Sequence, residues 1–166
     1  GGLTQLQTPL QKLQKLLVAR KFDQVVKDAD AHLAQKPKSP RVLFLKGVAL
    51  YNLGKKADSV QAFEKAIEVG GKFADLYVNY SEALFFMGKL DQCEQVIRKA
   101  MPMFPKAAGL WYNLGAVFME RGKREEAMRL YGEAPNMDRP CPAWGICTSS
   151  RRSGPGRTGY SNGSQP

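Results

Sequence analysis

Trp111-Tyr112-Asn113-Leu114-Gly115-Ala116-Val117-Phe118, followed by Gly122 and then by Ala127-Met128-Arg129-Leu130-Tyr131, is the stretch that decides the fold. Moved back by 34 residues it falls on its own likeness. Trp111 meets Tyr77, Asn113 meets Asn79, and Gly122 meets Gly88 and then Gly54. Ala134, Ala100 and Ala66 keep the same step, and Pro37 and Pro105 stand two steps apart. Several residue types sharing one period mark an internal repeat, and such a period means stacked supersecondary units.

Each unit holds two amphipathic runs. Leu76, Tyr80, Ala83 and Leu84 recur at helical spacing, and Gly88 supplies the left-handed cap that ends the run. Asp91 starts the next run, Cys93, Val96, Ile97 and Ala100 form its apolar stripe, and Pro102 and Pro105 stop it. The preceding unit repeats this with Leu43, Gly47 and Leu50, then Val60, Phe63, Ala66 and Ile67. The first unit, about Gln7 to Lys38, is more degenerate and carries Arg20 where later units carry Gly. Small residues recur at two places: Gly47, Ser81 and Gly115 in the first helices, and Ser59, Cys93 and Ala127 in the second. They let two helices approach closely, with Phe63, Ile97 and Tyr131 filling the space between neighbouring hairpins. No such unit buries its apolar face alone, so the units must stack. The expected structure is all-α, with seven helices between about residues 7 and 134.

These residues resemble the tetratricopeptide signature, with Tyr77 for Trp and Ser81 for Gly in the third unit. The resemblance implies a right-handed α-solenoid of about four repeats over residues 1–138, with units near 6–39, 40–73, 74–107 and 108–138. Pro135 breaks the pattern. Residues 139–166 lose the apolar period, carry Pro, Gly, Ser and Thr, and read as an irregular, disordered tail.

Composition narrows the function. The chain has 166 residues, 43% apolar and 24% charged, as in an ordinary soluble domain. No run approaches the length of a membrane helix, and no secretory signal is visible at the start, so the expected compartment is cytoplasmic. The net charge is +10, but before residue 139 acids interleave with the Lys and Arg, which reads as a solvated outer face. Neither nucleic acid nor membrane is therefore expected as a partner. Three cysteines and one histidine build no zinc site, and no metal or cofactor is expected. His32 has no catalytic companion and sits in register with Ala66, so it reads as a helix-packing residue, and no enzyme activity is expected. Gly154-x-Gly156-x-x-Gly159 matches a dinucleotide fingerprint only formally, because neither strand nor helix flanks it.

What remains is an interaction scaffold that holds an extended peptide or partner segment. By resemblance, the first helix of each hairpin lines the concave face. That places Phe44 and Tyr51, then Val78, Asn79, Glu82 and Phe85, then Tyr112, Asn113 and Met119 in a peptide-binding groove. Adjacent Phe85 and Phe86 cannot share one helical stripe, so one of them faces the groove. Asn79 and Asn113 resemble the asparagine ladder in the superhelix of O-linked N-acetylglucosamine transferase, whose amides hold a peptide backbone. An amide at this place can equally bridge neighbouring helices. Two further expectations follow. The array can be the amino-terminal part of a larger glycosyl-, sulfo- or methyltransferase. The last hairpin, lacking a polar cap, would expose Leu130 and part of Tyr131 and support weak self-association.

Overall fold

The structure is a computed structural model that describes residues 6–135. Within these lie eight helices and no strand, paired as α1 (Pro9–Val18) with α2 (Phe22–Gln35), α3 (Pro40–Asn52) with α4 (Lys56–Glu68), α5 (Ala74–Phe86) with α6 (Leu90–Ala100), and α7 (Ala108–Glu120) with α8 (Arg124–Glu133). The expected count of seven is corrected to eight, since all four units keep both helices, the degenerate first one included. The expectations for residues 139–166 lie outside the described residues.

Every hairpin turns on the same local geometry. The turn residue adopts a positive φ: 58° at Arg20, 80° at Gly54, 75° at Gly88 and 74° at Gly122. Its N–H and that of the following lysine satisfy the last carbonyls of the helix, as in Gly54 N–H to Tyr51 O at 3.0 Å and Lys55 N–H to Leu50 O at 2.9 Å. Arg20 makes the same two bonds against the preference of an L side chain, with its guanidinium 5.4 Å from the centre of the Phe22 ring.

Within a hairpin the small residues set the helix separation. A Cβ on Gly47 would lie 2.5 Å from Cε1 of Phe63, and one on Gly115 2.5 Å from Cε1 of Tyr131. In the third hairpin Ser81 and Ile97 are both fully buried, and the Cys93 thiol donates to Ser81 O at 3.1 Å. Burial pushes that thiol up to about 12, so it stays protonated as a donor. Ala29, Ala66, Ala100 and Ala127 are also fully buried, each adding no more than a methyl group to the core. His32, expected at a packing contact, is half-buried with Nε2 3.4 Å from Ser39 Oγ at the passage from α2 to α3. Leu130 is buried in the core of the last hairpin, and Tyr131 is half-buried with its ring stacked on Tyr112. This corrects the expected apolar exposure at Leu130.

Hairpins are joined by polar seams as well as apolar ones. Tyr80 donates to Glu64 at 2.9 Å and accepts from Gln92 at 3.4 Å, linking α4, α5 and α6. Arg121 at the end of α7 binds Asp91 and Glu94 of α6, and Arg98 binds Glu94 at 2.8 Å. Hydrogen bonds from Arg121, then from Arg98, hold the Glu94 carboxyl below its ordinary range.

Two outcomes are expected. Gly47→Ala forces Phe63 out of its place and lowers stability by about 1–3 kcal/mol, measured by urea denaturation. Because the folded-state Glu94 is more acidic than in the unfolded chain, its contribution is present above the usual carboxylate range and is lost as pH falls through the folded value. Arg121→Gln therefore flattens the fall in stability on acidification, measured as denaturation midpoint against pH.

Candidate functional site

The helices sort into two layers. Among the described residues α1 touches α3, α3 touches α5 and α5 touches α7, whereas α2, α4, α6 and α8 do not touch one another. An array whose first helices are in contact and whose second helices are splayed bends toward the first helices. The face carrying α1, α3, α5 and α7 is therefore the inner one, as the family resemblance implies.

The anticipated groove residues divide by burial. Phe44, Val78, Asn79, Glu82 and Asn113 are buried, and Phe44 packs against Phe63 and Phe73. Tyr51, Phe85 and Tyr112 are half-buried, and Met119 is 41% exposed. Of the two adjacent phenylalanines, Phe85 packs partly on the core and Phe86 is 45% exposed, its ring at right angles to that of Phe85 and 5.6 Å from Lys56 Nζ. Along α1 an open depression of about 600 Å³ is lined by Gln7, Gln11, Gln14, Lys15, Val18 and Ala19.

The two asparagines part company. Asn113 is fully buried, and its Nδ2 donates to Val78 O at 3.1 Å and to Ser81 Oγ at 3.0 Å. Its amide ties α7 to α5, beside Gly109, where a Cβ would meet Val78 Cγ1 at 2.9 Å. The neighbouring hairpin can come this close because one residue has no side chain and the next supplies a donor. Asn79 is 1% exposed and its Oδ1 has no hydrogen-bond partner. Ser81 has no counterpart hydroxyl one unit earlier, where Gly47 stands, so the same residue type is placed differently by its neighbour.

Glu82 is 2% exposed, one turn before Phe85, and its charge reaches Tyr51 on α3. Burial first, and then that carboxylate, hold the Tyr51 phenol above its ordinary range. Among the described residues no group of His, Cys, Asp and Glu could hold a metal ion, and no helix is long and apolar enough to cross a membrane. Sequence reasoning did not anticipate the Arg121–Glu94–Asp91 cluster, whose members lie 27 and 30 residues apart and meet only through hairpin stacking.

Profiles of the tetratricopeptide repeat match residues 10–75 and 74–106, together more than half of the chain. The chain belongs to the tetratricopeptide repeat family. Its fourth hairpin lies beyond the matched span yet repeats the turn of Gly88 at Gly122. No curated protein sequence matches this one. Several solved structures share the fold. MamA from Desulfovibrio magneticus RS-1, residues 41 to its end, has a TM-score of 0.65 at 18% identity, over 72% of this chain and 68% of that one. Pseudomonas aeruginosa PilF has 0.69 at 17%, over 75% and 57%. A thermophilic tetratricopeptide protein of Thermus thermophilus has 0.66 at 17%, over 77% and 73%.

Removing the Asn113 amide breaks both bonds that tie α7 to α5 and leaves Val78 O with the Ser81 hydroxyl, at 2.9 Å, as its side-chain donor. Asn113→Ala is therefore expected to destabilise the fold by about 1–3 kcal/mol, and Asn79→Ala by less, read from denaturation curves of the two variants.

Proposed function

We propose that this protein is an interaction scaffold whose inner face, lined by α1, α3, α5 and α7, holds an extended segment of a protein partner. The observation that carries this is the run of apolar side chains left open where those helices end: Met119 at 41% and Phe86 at 45% exposure, beside half-buried Tyr51 and Phe85. Several large apolar side chains left open side by side mark an interaction surface, where one alone would not. Tyr51, Phe85, Tyr112 and Met119 are the contact residues in this reading. Phe44, Val78 and Glu82 shape the floor beneath them. Asn79 lies buried beneath the face, and Asn113 ties α7 to α5. The family's general use of such surfaces for protein partners supports the same reading.

The test uses peptides displayed as a random library and selected on the whole chain. Selected ligands are expected to lose about tenfold in affinity to Met119→Ala or Phe86→Ala while the melting temperature of either variant stays unchanged, since burying one large apolar side chain is worth about that much. Ligands indifferent to both substitutions would place the binding surface elsewhere and end this reading.

A further inference from the structure

We propose that the exposed Phe86 ring and the lysines around it bind a protein segment in which an apolar side chain is flanked by aspartate or glutamate. This rests on the groove reading above and names the chemistry of its occupant. Lys56, in the first turn of α4, sets its Nζ 5.6 Å from the centre of the Phe86 ring at the end of α5. A cation of one hairpin thus lies over an open ring of the next. Lys56 is half-buried, while Lys55 and Lys89 are exposed. Lys55 and Lys89 occupy one structural place in successive hairpins. Each follows the left-handed glycine of its turn, with φ −92° and −86° and ψ 64° in both, and Lys89 stands three residues after Phe86.

Lys46, Lys65, Arg98 and Arg121 are each paired with a carboxylate, whereas among the described residues Lys55, Lys56 and Lys89 are paired with none. Of the acids in these two turns, Asp91 is held by Arg121 and Asp58 alone is left. An ammonium carries three donors and no acceptor, and a ring face takes the field of its charge without using all three. Three cations against one acid, set about an open ring, complement carboxylates beside an apolar side chain. The next turn brings Glu120, Glu125 and Glu126 against Lys123 and Arg124, so the cationic surface ends there. It is too short for a nucleic-acid backbone, which carries a charge on every nucleotide and needs cations along its path.

Fluorescence anisotropy on the whole chain tests this with two labelled synthetic peptides. One has leucines set among glutamates, and the other has the same leucines set among glutamines. At low salt the glutamate peptide is expected to bind about tenfold tighter, an advantage that shrinks with added salt. Lys56→Gln, with unchanged melting temperature, is expected to lower its affinity about fivefold and to leave that of the glutamine peptide as it was. Equal binding of the two peptides, both weakened by Phe86→Ala, overturns the carboxylate and leaves the groove standing. A glutamate preference undiminished by Lys56→Gln does the same, as does tighter binding of a labelled single-stranded oligonucleotide. Binding of neither peptide, or indifference of both to Phe86→Ala and Met119→Ala, overturns both readings.

Discussion

An aromatic ring resting on a residue with no side chain sets the dimensions of this protein. The Phe63 ring occupies the space a Cβ on Gly47 would need, and the Tyr131 ring does the same at Gly115. Close-packed interiors tolerate few misplaced atoms, so this contact fixes how near the two helices of a hairpin stand. The distance between hairpins follows from it, because each first helix packs on the pair before it. In the third hairpin Ser81 and Ile97 take these two places, both fully buried, and the Cys93 thiol donates to the Ser81 carbonyl.

Between hairpins, direction comes from polar groups. Apolar contact alone would let stacked units slide, since burial is proportional to area and carries no direction. The Asn113 amide fixes α7 against two groups of α5, and Arg121 reaches two acids of α6. The Tyr80 hydroxyl joins residues from the helices on either side of it. These groups bind as a set, so a repeat can be apolar in bulk and still have one way of stacking.

The inner face inherits its character from this construction. Midway along α5 and α7, Val78, Asn79, Glu82 and Asn113 are buried. Phe86 and Met119, at the ends of α5 and α7 beside a left-handed turn residue, stand open.

How much of this was legible beforehand divides along one line. The step of 34 residues determined the helical hairpins, their turns and their small-residue contacts, because each depends on groups within one unit or on the same group one unit on. Even Arg20, an exception to Gly, was placed at its turn by register alone. The residues that meet across units were legible only as a face. Asn79 and Asn113 share a register and a residue type, yet Asn113 finds the Ser81 hydroxyl and Asn79 finds none, since Gly47 stands at that place. Glu82 looked like a groove residue and is buried under one, and Leu130 looked exposed and lies in the core. Sequence by itself determined the repeat, because periodic spacing is a property of the chain. The tertiary structure decided which side chains are buried and which stay open, because that depends on what a neighbouring helix covers, and covering is a property of packing.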